Sequence, residues 1–510
     1  MLPVVNYTLN ELKTLFQKSW EWRIGYVLIG VFIAARWLGV FSSIELNTLD
    51  FFLRYRPAEK EDEHVVIVLI DRSSFQGNDT VNGATTDQYI TKLLETILAA
   101  EPAVVGLNIF KEQSADKESR EKLANLFETN HNLIGAQKIL PPNEVSPLAE
   151  VSPQVAKQQF GFNDVPIDRD GKVRRIFVGS YLPEDPPDSS GENPFGFSFS
   201  FKVATKYLEN KGYSLENFPP DPATPSFRVK LTDEYIKIPR LHPTFGGYVR
   251  ENSIADIQTL LNFRSGTRTF NVFYSENLLD ENFDLQRLED KVVIVGSTDS
   301  TFPRFLPISA SSNLGNKDTE YRHILPRLGI IGAELEAHST SQIINQVLHD
   351  RPLIETISPF LEYTLILLAG VVGILIGNAF KSSQATFQNM TLLVFVVGSL
   401  VASGYLLLYW LGIWFPIFPA SSILAITGVT YIAFYQRERF SLIESKKLEE
   451  EALRLEEETL RLEEERRKTI DKIFNSIHAG PLQTLASLLR DVRDGKLNQE
   501  HLTRDLEFLN

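Results

Sequence analysis

From Ser382 to Gln436 the chain carries no Asp, Glu, Lys, Arg or His, and nothing else in it restricts the fold so sharply. One bilayer crossing takes about 20 apolar residues as a helix, so this run holds two. In hydrocarbon every backbone N–H and C=O must be satisfied within the chain, which makes both helices. The spacing predicts them at 390–411 and 415–435, with Gly412, Trp414 and Pro416 marking a tight turn between. Upstream, Tyr363–Phe380 is also free of charge and predicts a crossing at 358–380. Its "GVVGILIG" places Gly373 and Gly377 on a small-xxx-small face, the kind that packs the helices of a bundle closely. A fourth crossing is expected at 24–44, "IGYVLIGVFIAARWLGVFSSI", with Trp20, Trp22 and Trp37 suited to interfaces. No A-x-A-like site closes this stretch, so it reads as an anchor that is kept.

Arg36 lies well inside that first crossing, where a lone charge costs a few kcal/mol. Two solutions are open to it: snorkelling to lipid phosphate, or pairing with Glu362, which begins the second crossing from the same side. Orientation follows from Lys and Arg near the helix ends. Lys13, Lys18 and Arg23 precede the first crossing, Lys381 follows the second, and Arg437, Arg439, Lys446 and Lys447 follow the fourth. With four crossings all three sets fall on one side, which places both termini in the cytoplasm and residues 45–357 outside. Arg54, Arg56 and Arg351 run against this count, but a long translocated domain is largely exempt from it.

The rest of the composition mainly excludes. With no cysteine there is no disulfide, thiolate nucleophile or cysteine-ligated cluster. The eight histidines show no HxxxH or HxH spacing, so a histidine metal cage has no support. A net charge of −14 argues against nucleic acid as a partner, because phosphate neutralisation needs clustered Lys and Arg.

Residues 45–357 read as α/β. "HVVIVLI" (64–70), "AVVGLNIF" (103–110) and residues 133–139 have the composition of buried strands, and "YITKLLETILAA" (89–100) and residues 118–129 have helical spacing. That alternation is the pattern of βαβ crossovers and a largely parallel sheet. Further on, the Asp-Gly turn of "DRDGKVRRIFVGSYL" (168–182) leads into a strand as a hairpin signal. A helix at 197–208, a buried strand at 291–297 and a helix at 331–348 follow. No catalytic pattern stands out. "VVIVGSTDS" lacks the G-x-G-x-x-G of a dinucleotide turn, "DRDG" lacks the further ligands of a calcium loop, and no G-x-S-x-G elbow is present. The reading is a binding or sensing domain.

"LDFFLRYRP" (49–57), "VVIVLIDRSSF" (65–75), "AVVGLNIF" (103–110), "DRDGKVRR" (168–175), "DKVVIVGST" (290–298) and "GAELEAHSTSQIIN" (332–345) occur in an order that resembles the CHASE type-two family. The similarity extends over 45–435 and implies one crossing, a large extracytoplasmic sensory domain, and three further crossings. Asn108 departs from the pattern, in which an Asp often follows the strand.

Beyond the last crossing, "KLEEEALRLEEETLRLEEERRK" (447–468) pairs Glu450/Arg454, Glu457/Arg461 and Glu464/Lys468 at i,i+4, which supports an exposed helix. Leu448, Leu455 and Leu462 form one stripe and Leu453 and Leu460 another, so the segment is either a stiff charged helix or an unusual coiled-coil seam. From Ile470 a tighter apolar pattern surrounds "IHAGPLQTL" (477–485). Pro481 has no N–H for the carbonyl of Ile477, so a helix kinks there. His478 is open to two readings, a packed histidine in a helical hairpin core or a reactive one.

The segment "IHAGPLQTL" resembles the phospho-acceptor box of sensor histidine kinases, H-[D/E]-x-x-x-Q and its variants. The resemblance implies that His478 is the phospho-acceptor and that Gln483 orients a water for dephosphorylating the partner regulator. Ala479 stands where the family often has a carboxylate acting as base. It also implies a homodimer, a response regulator as partner, and ATP as the cofactor of a catalytic domain that residues 479–510 do not contain.

The expected architecture is an α/β extracytoplasmic sensor domain plus four transmembrane helices and a long cytoplasmic signalling helix with a partial dimerisation hairpin. Its parts are a cytoplasmic segment (1–23), the crossings 24–44, 358–380, 390–411 and 415–435, the sensor domain 45–357, the signalling helix 436–472 and the hairpin 473–510. The expected place is the inner membrane of a bacterium and the expected role is sensing in a two-component system, the chain ending within the hairpin. The alternative is a non-catalytic receptor or scaffold that signals through protein contacts.

Overall fold

A computed structural model describes residues 20–70, 80–81, 84–110, 116–140, 144–181, 195–218, 221–229, 234–249, 256–266, 268–298, 330–379, 385–496 and 498–509. Lys13, Lys18 and Lys381, used above for orientation, lie outside them. The chain divides into two compact units, Met1–Tyr431 and Ile432–Asn510.

The first unit begins with α1 (Trp20–Trp37) and α2 (Ser42–Arg54). The α/β domain follows as β1 (Val65–Ile70), α3 (Asp87–Leu98), β2 (Val104–Asn108), α4 (Lys117–Thr129), β3 (Leu133–Gln137), α5 (Pro153–Gln159) and β4 (Phe160–Phe162). Then come β5 (Arg175–Tyr181), β6 (Phe195–Phe197), α6 (Phe199–Asn210), β7 (Tyr213–Phe218), β8 (Asp221–Val229), β9 (Tyr235–Lys237) and β10 (Ile257–Leu260). The domain closes with β11 (Asn271–Tyr274), β12 (Val292–Ser297) and α7 (Gly332–His349).

Six strands make one sheet in the order β11-β1-β12-β2-β3-β4, and every pair in it is parallel. Parallel neighbours need crossovers, and the crossover helices cover both faces, which is why "VVIVLI" is buried along its whole length. Successive side chains of β1 alternate between the two layers. Val65, Ile67 and Leu69 meet α6 and α7, whereas Val66, Val68 and Ile70 meet α3 and α4. The late strand β12 enters between β1 and β2, with Val65 opposite Val292 and Val105 opposite Val293. Side-chain caps start the helices: the Thr86 hydroxyl accepts from Tyr89 N and the Ser198 hydroxyl from Phe201 N, each worth about 1 kcal/mol.

Two smaller antiparallel sheets, β6-β5-β10 and β7-β8-β9, extend the domain. The turn at Asp168–Lys172 does lead into β5, but the partners of β5 are β6 and β10 and not the segment before the turn.

Four helical stretches are apolar. In the first, α1 ends at Trp37 instead of running on to 44. Gly39 sits at φ +79°, a conformation that costs glycine little, and α2 leaves at 80° to α1. Glu45, Leu49, Asp50, Phe52 and Leu53 of α2 are buried. The helices α8 (Pro359–Gly377), α9 (Ala385–Leu411) and the start of α10 (Ile417–Ala479) are each long and apolar enough to cross a membrane, and α1 with α2 forms a bent fourth candidate. Ile29, Ile366, Ile374, Ala420, Ile423 and Tyr431 pack α1, α8 and the start of α10 together. Between α9 and α10, Ile413–Trp414 pairs with Glu355–Thr356, and the buried Trp414 indole donates to Gly246 O at 3.0 Å.

The second unit contains the far part of α10, whose full length of 63 residues is uninterrupted. Gly480 breaks it and Pro481 occupies the first turn of α11 (Pro481–Arg493), the consequence of a missing N–H. A turn then leads to α12 (Gln499–Leu509), which packs on α11.

Candidate functional site

A cluster of buried charge among the described residues lies where the apolar helices meet the α/β domain. Its first part is held by α2 and the turn before β5. Arg174 grips Asp50 of α2 with Nε and Nη2, at 2.8 and 2.9 Å, and Asp168 with Nη1 at 2.8 Å. Lys172 adds a contact to Asp50 at 2.7 Å. Asp168 also accepts from Arg175 Nε at 2.8 Å and from the Tyr248 hydroxyl at 2.9 Å. The two arginines and Asp50 are buried, so each fork has to be matched by carboxylates to offset its lost hydration. Asp168 and Asp170 of "DRDG" thus serve arginines.

The second part links α1, α2 and α8. Arg36 Nη2 donates to Glu362 Oε2 at 2.6 Å, and Arg36 Nε stands 3.1 Å from Glu45 Oε1. Gly246 N donates to the other oxygen of Glu362 at 3.3 Å. Of the two solutions open to Arg36, the structure has the ion pair, with a second carboxylate added.

The third part fixes the connection from α7 to α8. Arg351 holds Glu59 with Nε and Nη2, at 2.7 and 3.0 Å, and reaches the carbonyl of Asn262 at 3.1 Å. Burial alone would raise the Glu59 carboxyl, but the Arg351 fork and the nearby Arg56 charge pull it down to about 2. Asp62, at the entry to β1, accepts from Arg264 at 2.9 Å and from Asn345 of α7 at 2.8 Å, with the Ser341 hydroxyl beside them. Burial opposes its ionisation, yet Arg264 and these donors hold it below the usual carboxylate range. A carboxyl without such a partner behaves the other way. Glu336, fully buried in α7 against Ser200, is pushed up to about 8.

Many of these contacts join residues more than a hundred positions apart, and of those the sequence offers only the Arg36–Glu362 pair, as one of two alternatives. Arg56 and Arg351 enter the sequence reading only as charges that run against the orientation count. Their one visible signal was that they flank the crossings of a domain with a net acidic balance. Among the described residues no group of three or more His, Asp and Glu converges as a metal site. Asn108, at the end of β2, accepts from the Asn163 amide.

His478 and Gln483 lie in the second unit, apart from this cluster in sequence. His478 is the penultimate residue of α10, exposed, its ring stacked on Phe474 with centroids 5.8 Å apart. Gln483 is exposed in the first turn of α11. The helix break at Gly480 stands between them.

A parallel sheet covered on both faces is tied through buried ion pairs to helices long and apolar enough to cross a membrane. The chain belongs to the CHASE2 domain family, whose model matches residues 27–375, from the middle of α1 to the end of α8. CHASE2 is an extracytoplasmic sensor domain found in signalling proteins. Comparison with curated proteins and with solved structures returned no match.

Proposed function

We propose that the protein is the transmembrane sensor of a two-component system. The α/β domain takes an extracytoplasmic signal, four membrane helices carry it, and the segment around His478 receives a phosphoryl group for transfer to a response regulator. The observation that carries this reading is the unbroken helix α10, which runs from an apolar stretch to His478 without a joint. A displacement at one end of a continuous helix is passed to the other with little loss. His478 suits the role because neutral imidazole is a nucleophile near pH 7, and its ring is exposed. Exposed Leu448, Leu453, Leu455, Leu460 and Leu462 along α10 support a parallel homodimer. ATP belongs to a catalytic domain that acts on this chain, and Gln483 orients the water of the reverse reaction. The placement is the bacterial inner membrane, with both termini inside.

Ala479 favours a second reading, a receptor or scaffold that signals by protein contact, because it removes the carboxylate base. Radiolabelled ATP with an ATP-binding kinase domain supplied in trans separates the two. Wild type should be labelled and His478→Gln should not. Ala479→Asp should raise the initial rate, within the factor of about 10²–10⁴ that general-base assistance supplies. Label persisting in His478→Gln removes the phospho-acceptor role. No label with the dimer intact moves the protein to the second reading.

A further inference from the structure

Two histidines meet on the surface of the α/β domain without a role in the ion-pair cluster. His64 precedes β1 and His349 is the last residue of α7. Their Nε2 atoms are 2.7 Å apart and their rings are stacked, with centroids at 5.0 Å and planes 21° apart. His64 Nδ1 lies 3.0 Å from the Tyr207 hydroxyl of α6. Burial pushes the Tyr207 phenol up to about 12, so it remains a neutral hydroxyl. A neutral imidazole has one donor and one acceptor nitrogen. When Tyr207 donates to Nδ1, the proton of His64 sits on Nε2 and points at the bare Nε2 of His349. The bridge holds one proton. Adding one more to the pair keeps a bridge, now between a charged and a neutral ring. Adding two puts an N–H on both sides of a 2.7 Å gap, and the rings must part.

We propose that His64 and His349 form a proton-sensitive latch between the entry to β1 and the α7–α8 connection, closed while one proton bridges the rings and open when both are charged. The consequence follows from what comes next in the chain. Asp350 ends α7 in the left-handed region at φ 52°, Arg351 is clamped by Glu59, and α8 starts at Pro359. Freeing the end of α7 therefore loosens the segment that positions α8.

The surroundings favour a closed latch at neutral pH. Burial is the main effect holding His64 below its ordinary value near 6.5. Asp62 opposes it, and His349 and Lys291 add to it. The charged groups around the pair are Asp62 and Glu63 beside His64, Lys211 over the Tyr207 ring, Asp290 and Lys291 before β12, and Asp350 and Arg351 beyond His349. Asp62 is bound by Arg264, and Asp290 by Lys211. Because the folded value is depressed, the closed form is fully present above the ordinary value. It is lost as the pH falls through the depressed one. Glu59 and Asp62 keep their charges through that window.

The test is hydrogen exchange on the full chain in lipid nanodiscs, corrected for intrinsic rates, at pH 7.5 and 4.5. In wild type, protection across residues 346–353 should be clearly lower at pH 4.5 than at pH 7.5. In His349→Gln and in His64→Gln it should be the same at both pH values. Equal profiles in wild type and both variants overturn the latch. A measurement that needs no substitution is histidine-selective ¹⁵N spectroscopy of wild type. The His64 ring should charge below its ordinary value, and charging at the ordinary value also overturns the latch. The latch rests on the sensor reading only for its output. Exchange and titration do not involve His478, so failure here and failure of phosphotransfer are read separately.

Discussion

Arg36 shows what a single charge demands inside an apolar helix. Its guanidinium is buried between Glu362 and Glu45, so loss of Arg36 leaves two buried carboxylates without their cation, and loss of Glu362 leaves the guanidinium one carboxylate short. Removing one member of such a pair costs about 3–5 kcal/mol, far more than the net value of the pair. Arg36→Gln and Glu362→Gln should each destabilise the detergent-solubilised protein by about that much, and the double variant should lose clearly less than the sum. Strict additivity in thermal melts would show that the two side chains are not coupled. Glu362 was legible from sequence because it starts a crossing on the side toward which Arg36 lies. Glu45 was not, because it followed the apolar run directly, and only the turn at Gly39 brings it back to Arg36. Arg351 and Glu59 were hidden for a related reason: 292 positions separate them, and no local pattern records such a pair.

At the scale of elements, period and composition carried most of the assignment. Buried strands such as β1 are continuous apolar runs because helices cover both faces of their sheet, and α3 and α4 show the 3.6-residue spacing of helices covered on one face. Gly373 reads as a packing position, and it is one. A Cβ there would overlap Thr427 Oγ1 and the Leu424 carbonyl of α10, and Thr427 itself donates to Gly370 O at 3.0 Å. Gly373→Ala should therefore push α8 off α10 and lower the melting temperature of the purified protein. Gly30→Ala, where a Cβ meets nothing within 4 Å, should leave it unchanged. Equal effects of the two substitutions would mean that helix propensity, not close approach, sets the outcome. The element whose direction the sequence left open was α2. Its apolar residues continue those of α1, and hydropathy has no way to register an 80° bend.

For the whole molecule, the balance of Lys and Arg around the apolar helices predicts an outer domain and two inner termini. Protease added to intact spheroplasts should cut within 45–357 and spare the 447–468 helix; cleavage of the helix alone would reverse the orientation. The sequence by itself determined the alternation of strands and helices, the apolar stretches and the break at Pro481, since each depends on residues within a few positions of one another. Only the tertiary structure decided that β12 enters between β1 and β2, that α2 turns back to the domain, and that His64 meets His349. Those outcomes rest on burial and charge pairing between distant segments. Such pairings form only once the chain has closed loops of hundreds of residues, and they leave no periodic trace in the sequence.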